Sequence, residues 1–196
     1  SRRETPRHDA LDFGWPAGGS GAELISGGGV PKLRIAPATP AHLPVILDLT
    51  RATFESHRAR NPRAFSKRLL QKIEKTHRRG IEHSRNGAST FTASGEDGML
   101  GYITVKPYAG LMLIYDISVL PRARQSGIGR ALVDHAVSHA RDRSCEMIFA
   151  AVWDANSESH GLFVKAGFTP GRPTLGRFTR FFPKLRNTSY VLNLKA

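Results

Sequence analysis

A short turn with the chemistry of a phosphate site follows the most apolar run of the chain. The turn is Arg-Gln-Ser-Gly-Ile-Gly at 124–129, and it comes after the apolar run 111–120 and the helix breaker Pro121. Two glycines two residues apart let the backbone turn sharply and approach a ligand closely. A helix predicted from about Gly129 points unpaired N–H groups back at the turn, and such helix starts attract phosphate. Arg122, Arg124 and Arg130 add positive charge, so the segment favours a pyrophosphate more than a bare turn does.

Two common nucleotide-binding patterns are absent around this turn. The dinucleotide pattern G-x-G-x-x-G needs a third glycine where the chain has Leu132, and the Walker pattern needs a Gly-Lys-Ser/Thr that the turn lacks. What remains is R-x-x-G-x-G between a predicted strand and a predicted helix, with Val-Leu-Pro at 119–121 and Arg-Ala-Leu at 130–132. A second pattern follows the predicted strand 145–153. It consists of Asn156 and Leu-Phe-Val-Lys-Ala-Gly-Phe at 162–168.

Together these two segments resemble the GNAT superfamily of acetyl-CoA-dependent N-acetyltransferases. The pyrophosphate loop of that family is (Arg/Gln)-x-x-Gly-x-(Gly/Ala), usually preceded by Val-x-Pro and followed by Arg-(Ala/Ser)-Leu. Its second motif is an Asn followed, seven residues later, by Tyr-x-Lys-x-Gly-Phe. The resemblance covers about residues 33–195. It implies an α/β fold, with a mixed central β-sheet flanked by helices in a single domain, and acetyl-CoA as the acyl donor.

The resemblance also implies where the coenzyme lies. Backbone N–H groups of the loop would hold the pyrophosphate, backbone groups at the end of the preceding strand would run beside the pantetheine arm, and Asn156 would contact the pantetheine amide. The alternative role of Asn156 is to cap the helix that begins there. The predicted cofactor-binding residues are Ile117, Ser118, Val119, Arg124, Gln125, Ser126, Gly127, Ile128, Gly129, Arg130, Asn156 and Phe163.

Groups that could move a proton lie near both motifs. Acetyl transfer needs a neutral amine because an ammonium has no lone pair, so a base or a water chain must take a proton. Asp116 is the only carboxylate on the central strand and resembles an acidic position of polyamine acetyltransferases; its alternative role is an ion pair with a nearby arginine. The family's proton-donating Tyr is replaced by Phe163, which cannot donate a proton. Tyr115, His160, Tyr190 and solvent are the candidates for that step.

Composition limits the class of protein. The chain has 196 residues, 40% of them apolar, which suits one packed domain. Its one cysteine, Cys145, falls in a predicted buried strand, and the eight histidines show no metal-ligand spacing, so no metal is expected. No stretch reaches the ~18 apolar residues of a membrane span, and the N-terminus does not resemble a signal peptide. We therefore expect a cytoplasmic protein.

Patterns along the chain predict the order of its elements. Residues 1–30 are rich in glycine and lack a period, which predicts a flexible tail before a domain at 31–196. A strand near residue 33 precedes two helices, one from about Pro44 and one from Asn61-Pro62 to Gly80. Three strands, the helix after the loop, a strand and the Asn156 helix come next. Two final strands are predicted at 177–182 and 189–194.

Positive charge is concentrated in the region of the two predicted helices. The formal net charge is +13, and residues 51–85 alone hold eleven Lys or Arg against three Glu. Arg68, Lys72, Lys75 and Arg79 recur at helical spacing, and we call these four residues the basic stripe. Its interpretations are a solvated helix face, a wall of the acceptor site, or a contact with nucleic acid.

Two functions from different classes remain open at this point. The leading hypothesis is an N-acetyltransferase that moves an acetyl group from acetyl-CoA to a primary amine of an unidentified acceptor, either a small molecule or a protein. The alternative is a catalytically weak GNAT-fold binding protein whose basic stripe contacts nucleic acid, which Phe163 and the local charge suggest. A longer acyl donor is neither supported nor excluded. The sequence does not define the oligomeric state.

Overall fold

The computed structural model describes residues 33–63, 65–82, 88–108, 110–171 and 187–195. They form one domain with a mixed β-sheet flanked by four α-helices. The elements in chain order are β1 (Arg34–Pro37), α1 (Leu43–Arg60), α2 (Lys67–Glu82), β2 (Ser89–Gly95), β3 (Gly98–Tyr108), β4 (Leu111–Val119), α3 (Ile128–Asp142), β5 (Met147–Trp153), α4 (Ser157–Lys165), β6 (Thr169–Pro170) and β7 (Asn187–Asn193). The predicted fold class is confirmed. None of the helices in these ranges is long and apolar enough to cross a membrane.

The sheet opens between its two central strands. Its order is β1-β2-β3-β4-β5-β7-β6, and only the β4–β5 pair among these is parallel. That pair begins at Met112 opposite Ile148 and ends at Ile114 opposite Ala150. Because β4 continues to Val119 and β5 to Trp153, the two strands diverge beyond this point. The backbone edge of β4 that faces β5 is therefore free of strand pairing over its last residues.

A β-bulge in β4 decides which face of the sheet Asp116 occupies. On β3, Thr104 pairs with Asp116 but the next residue, Val105, pairs with Ile114, so Tyr115 is an extra residue. Side chains alternate between faces along a strand, and one extra residue reverses the alternation. Ile114 packs in the core under α3, whereas Asp116 contacts α2. The bulge thus turns Asp116 towards α1 and α2.

Three apolar clusters lie on the sheet among the described residues, and the two largest pack it against its helices. The larger core packs α3 and α4 on one face and includes Leu132 and Ile148, both fully buried. The smaller core packs α1 on the other face around Ile46, also fully buried. Truncating such a side chain to Ala costs about 2–5 kcal/mol, because a cavity remains. Each core therefore fixes the helices on its own side of the sheet.

The second helix differs from its predicted bounds at both ends. Asn61 ends α1, since its N–H donates to the His57 carbonyl at 3.0 Å, and it does not begin α2. The side chain of Ser66 instead accepts the Leu69 N–H at 3.3 Å, which starts the helix one turn later. Gly80 lies inside α2, where an added Cβ would sit 3.6 Å from the Cβ of Ala88. The prediction of a helix from Asn61 to Gly80 was wrong at both bounds.

Three other predictions about the elements have different outcomes. Cys145 is buried, as predicted, but lies in the turn before β5 rather than in the strand. Among the described residues a two-residue strand, β6, follows α4, and the sequence did not indicate it. The predicted strand at 177–182 and the predicted tail at 1–30 lie outside the described residues.

Candidate active site

A cleft of about 180 Å³ opens where β4 and β5 diverge. The two strands contribute residues to it, as do α1, α2 and α4. The residues predicted from sequence that line it are Tyr115, Asp116, Ile117, Asn156 and Phe163. The strand before the phosphate loop and the motif that begins at Asn156 thus both contribute residues to one cavity. The sequence indicated this proximity only through its resemblance to the GNAT superfamily.

Asp116 is held by two hydrogen bonds that converge on one carboxylate oxygen. Tyr102 OH donates to Oδ2 at 2.7 Å, and His77 Nε2 lies 3.1 Å from the same atom. Burial raises the pKa of Tyr102 well above its usual value, and the charge of Asp116 adds to the effect, so the phenol stays a donor. Among the described residues no arginine pairs with Asp116, which is 25% exposed. The alternative of an arginine ion pair therefore has no support from the described part of the chain.

The two partners of Asp116 belong to a longer chain of buried polar groups. His77 is fully buried, and its Nδ1 lies 3.2 Å from Thr104 Oγ1, which is in turn 2.9 Å from Thr90 Oγ1. A carboxylate oxygen only accepts, so His77 Nε2 carries the hydrogen of its bond to Asp116. Satisfied buried networks of this kind restrict side-chain orientation. The chain therefore fixes the direction in which Asp116 points.

Tyr115 lies beside Asp116 in the cleft with its hydroxyl partly satisfied. Thr76 Oγ1 on α2 donates to Tyr115 OH at 3.3 Å. Burial raises the pKa of Tyr115, and the hydrogen bond from Thr76 opposes that effect. The phenol is therefore protonated at neutral pH. Of the sequence-predicted proton donors, Tyr115 is one that the structure places in the cleft.

His160 has a different location from the one that its predicted catalytic role requires. It lies on α4, and its Nδ1 is 2.8 Å from the hydroxyl of Tyr190 on β7. Neither residue is among those that line the cleft. The structure brings Tyr115 and Asp116 together but does not bring His160 or Tyr190 to them. Spacing along α4 suggested His160 only because it lies one turn before Phe163.

The α4 motif contributes one capping side chain and one buried ring. Asn156 Oδ1 accepts the Ser159 N–H at 3.2 Å, so it caps the helix while also lining the cleft. Phe163 is 2% exposed, and its ring packs 5.3 Å from Phe168 and 5.9 Å from Tyr190. Its position beside the cleft is the one expected for the family's Tyr, but it offers no hydroxyl there.

The end of β4 has two inequivalent edges. On one edge Ile117, Ser118 and Val119 pair with β3. On the other edge no strand follows, because pairing with β5 has ended at Ile114. The Val119 carbonyl accepts a 3.4 Å hydrogen bond from Arg124 Nε, and the Ser118 side chain is buried 2.9 Å from Thr53 Oγ1. Backbone groups, rather than side chains, therefore face the divergent gap.

The loop after β4 has the backbone conformation of an anion-binding turn. Gln125 and Gly127 have φ of 61° and 87°, and Gly127 is the N-terminal cap of α3. The Ala131 N–H donates to the Gly127 carbonyl at 3.0 Å, so the amides of Ile128, Gly129 and Arg130 precede the helical ladder. Unpaired amides at a helix N-terminus attract anions. The sharp turn before a helix start, which the sequence predicted, is present here, and the binding of an anion by its amides stays a prediction.

Side chains around the loop make local contacts that brace the turn or pair its arginines. Ser126 Oγ donates to the Ala123 carbonyl at 2.7 Å, which braces the turn from inside. Arg124 lies 3.4 Å from Glu158, and Arg130 is 2.8 Å from Asp134. Both arginines are exposed, so these ion pairs are weak and a ligand phosphate can compete for them. The loop residues predicted to bind the coenzyme therefore form one continuous surface.

Four rings form an aromatic wall of the cleft that the sequence analysis missed. The rings belong to Phe54, His57, Phe65 and Trp153, and we call this set the aromatic wall. His57 and Phe65 stack at 5.3 Å, and Trp153 lies 5.4 Å from His57 and 5.2 Å from Phe65. The residues come from α1, the loop after it and β5, so no local motif could link them. The wall gives the cleft an aromatic lining, in which the Trp153 ring is set at 83° to His57 and 69° to Phe65, in addition to the polar Asp116.

The basic stripe and the histidines show no second site. All four stripe residues are exposed on α2, and none of them lines the cleft, although Leu69 and Ile73 of the same helix do. In the described ranges no group of three or more His, Cys, Asp or Glu is close enough to hold a metal ion. The chemistry available in the cleft is therefore that of a carboxylate, phenols, a histidine and backbone amides.

Comparison with known proteins identifies the class to which this fold and cleft belong. Residues 47–168 match the model of the Acetyltransferase (GNAT) family. The match spans more than half of the chain, and the chain belongs to this family. The resemblance of the two sequence motifs is thereby confirmed.

Particular relatives are more distant. A streptothricin acetyltransferase of Streptomyces lavendulae is 33% identical over 92 residues, which cover 45% of this chain and 49% of that protein. The chain thus matches about half the length of this curated relative.

Solved structures of similar fold have low sequence identity to the chain. The PaiA N-acetyltransferase of Thermoplasma acidophilum, solved in complex with coenzyme A, gives a TM-score of 0.63 at 14% identity over 83% of this chain and 99% of that one. A GNAT-family acetyltransferase of Staphylococcus aureus gives 0.62 at 17% identity, also over 83% and 99%. At these identities the similarity shows the fold.

Proposed function

We propose that this protein is an N-acetyltransferase that moves an acetyl group from acetyl-CoA to a primary amine. The observation that carries the proposal is the position of Asp116. This carboxylate is held by hydrogen bonds, lines the cleft and lies on β4, the strand that leads into the anion-binding loop. Membership of the GNAT family supplies the class of reaction. A carboxylate beside a coenzyme site is the arrangement that an amine acceptor requires, because it attracts the ammonium form.

The residues of the loop and of β4 fit the coenzyme. The amides of 125–130 fit the pyrophosphate, since those at the start of α3 precede its hydrogen-bonded ladder. Arg124 and Arg130 add charge on either side. The unpaired edge of Ile117, Ser118 and Val119 fits the amide groups of a pantetheine arm. Bound acetyl-CoA would supply an activated acetyl thioester at the divergence of β4 and β5.

The cleft residues divide the work of the reaction. The Asp116 carboxylate attracts and orients the acceptor's ammonium group, because two hydrogen bonds fix the direction in which it points. Phe163 excludes water from the coenzyme side of the cleft but cannot protonate a leaving thiolate. Tyr115 is the protonated phenol that can take over that step from its place beside Asp116.

The acceptor class follows from the shape and charge of the cleft. The lining includes both a carboxylate and the aromatic wall, which favours a cationic amine with an apolar or planar body. The streptothricin acetyltransferase relative makes streptothricin the first acceptor to test. Polyamines and peptide N-termini are the next classes, since they also present primary amines.

A thiol-release assay with acetyl-CoA tests the proposal. The panel consists of streptothricin, polyamines, aminoglycosides, peptides and aminoacyl-tRNA. With the best acceptor we expect Asp116→Asn to raise its KM by about ten-fold or more, which corresponds to about 1.4 kcal/mol of lost binding. The same variant should keep the rise in Tm that acetyl-CoA produces in the wild type. If no amine in the panel releases thiol, while nucleic acid binds tightly, the alternative of a binding protein replaces this function.

A further inference from the structure

We propose that His57, on α1, is the residue that takes the proton from the acceptor's ammonium group, while Asp116 only holds that group in place. This proposal rests on the proposed function and assigns a further catalytic residue to it. His57 lines the same cleft as Asp116, and it comes from α1, one of the two helices towards which Asp116 is turned. Its position, its surroundings and its ring nitrogens carry the argument.

Asp116 is occupied as a hydrogen-bond acceptor before any ligand arrives. Both donors, Tyr102 OH and His77 Nε2, converge on Oδ2. Oδ2 is therefore engaged with two protein donors, and Oδ1 is the oxygen that can accept a hydrogen bond from an ammonium group. Another group in the same cleft can then take the proton from that ammonium.

His57 is a member of the aromatic wall with one ring nitrogen sealed from solvent. Its ring stacks on Phe65 and contacts the edge of Trp153. Nδ1 is buried and has no hydrogen-bond partner among the described residues. Proton exchange with a ligand must therefore go through Nε2. The packed rings on either side hold the imidazole plane still, which a proton acceptor in a cleft requires.

Burial, more than the surrounding charges, lowers the pKa of His57 and so favours the neutral form of its ring. Burial is the largest influence and lowers its pKa from the usual 6.5, and Arg60 on the same helix lowers it further. Asp116 on β4 and Glu158 on α4 oppose this shift, while Arg124 in the loop supports it. At neutral pH the imidazole therefore has a free lone pair. Since its protonated form is unfavourable, it also passes the proton on readily to solvent.

The step balances in atoms and charge. The ammonium gives one proton to Nε2 of His57, and the freed nitrogen lone pair attacks the thioester carbonyl carbon. The C–N bond forms, the C–S bond breaks, and the electron pair leaves with sulfur. A second proton, from the attacking nitrogen, reaches the sulfur through Tyr115 or solvent. His57 then releases its proton to solvent, so the products are an amide, a free thiol and one proton.

Two substitutions separate a chemical role of His57 from a packing role. His57→Phe keeps an aromatic ring against Phe65 and Trp153 but removes both nitrogens. His57→Gln keeps a polar side chain but removes the base. The matched control is His139→Phe, because the ring of His139 packs 4.8 Å from Phe91, its Nε2 is buried without a partner in the described part of the chain, and burial lowers its pKa. His139 lies on α3 and does not line the cleft.

The measurement is kcat as a function of pH with the best acceptor of the thiol-release panel. We expect both His57 variants to lower kcat about 100-fold at pH 7, while His139→Phe stays within about two-fold of the wild type. The rates of the His57 variants should climb with pH towards the pKa of the amine, because the neutral amine then arrives without help from a base. The Tm rise produced by acetyl-CoA should be the same in all four proteins.

The outcomes distinguish this proposal from the one on which it rests. Wild-type kcat and an unchanged pH profile in His57→Phe would overturn the role of His57 and leave the acetyltransferase function standing. A KM increase without a change of kcat would also overturn it, since that result assigns His57 to acceptor binding. Absence of thiol release from the wild type with every amine would remove both proposals together.

Discussion

The hydroxyl of Tyr102 on β3 donates a 2.7 Å hydrogen bond to Oδ2 of Asp116 on β4. Tyr102 is fully buried, whereas Asp116 is a quarter exposed at the cleft. The phenol also lies 2.7 Å from Thr50 Oγ1, so it connects α1 to the carboxylate. A buried donor thus sets the orientation of an exposed acceptor, and the active-site carboxylate depends on the core for its direction.

Replacing Tyr102 by Phe tests this dependence. The change removes one of two donors to the carboxylate, so we expect the free energy of unfolding to fall by about 1.5–3 kcal/mol at neutral pH. The acceptor KM should rise, because Asp116 is then free to rotate away from the cleft. Chemical denaturation and steady-state kinetics measure the two effects. A loss of stability with an unchanged KM would show that His77 alone orients the carboxylate.

The phosphate loop could be predicted from the sequence because all of its parts are adjacent in the chain. A glycine pair, the arginines beside it and a helix start lie within a few residues, so spacing alone indicates their geometry. The residues around Asp116, by contrast, are distant from one another in the chain. His77 and Tyr102 come from α2 and β3, and no local pattern links them to Asp116. Only the folded sheet brings the three together.

The bulge at Tyr115 explains why counting along the strand fails at the active site. A strict two-residue period places Asp116 on the same face as Ile114, under α3. The extra residue moves Asp116 to the α2 face, where His77 donates a hydrogen bond to it. Bulges depend on pairing with the neighbouring strand, so a single strand's sequence does not reveal them. The start of α2 was also predicted at the wrong residue, because Asn61 ends α1 instead.

Substitutions of the two loop glycines should have different effects, a loss of stability at Gly127 and a loss of coenzyme binding at Gly129. Gly127 has φ of 87° and open space around it, so Gly127→Ala should lower stability by about 1–2 kcal/mol through backbone strain alone. An added Cβ at Gly129 meets only ordinary contacts, the nearest at 3.5 Å from Leu162. Gly129→Val should therefore fold, yet its branched side chain should block the pyrophosphate. Thermal unfolding with and without acetyl-CoA measures both effects.

Gly161→Ala is the control for the loop glycines. Gly161 lies inside α4 with no atom within 4 Å of an added Cβ, so alanine should stabilise the helix by about 0.5–1 kcal/mol. It should leave the Tm rise produced by acetyl-CoA unchanged. An equal coenzyme shift in Gly129→Val and in the wild type would contradict the assignment of the loop as the phosphate site.

The basic stripe offers the sharpest separation between the enzyme and the nucleic-acid interpretations. Arg68, Lys72, Lys75 and Arg79 are exposed on α2 and none of them lines the cleft. A solvated helix face is therefore the expected role. Replacing all four by Gln should change the acceptor KM by less than about two-fold and the free energy of unfolding by less than about 0.5 kcal/mol for each site.

If the basic stripe instead contacts nucleic acid, the dependence of nucleic-acid affinity on salt concentration should reveal it. Each phosphate contact contributes about 0.9 to the slope of log K against log salt, so four contacts would give a slope that falls by about 3.6 when the four charges are removed. An acceptor wall would instead show weak nucleic-acid binding in the wild type and a raised acceptor KM in the four-fold variant. The electrostatic field of the basic stripe is the same whether the stripe contacts nucleic acid or forms an acceptor wall. The salt slope counts charges in contact, and the KM reports the acceptor alone, so the two measurements together assign the stripe to one role.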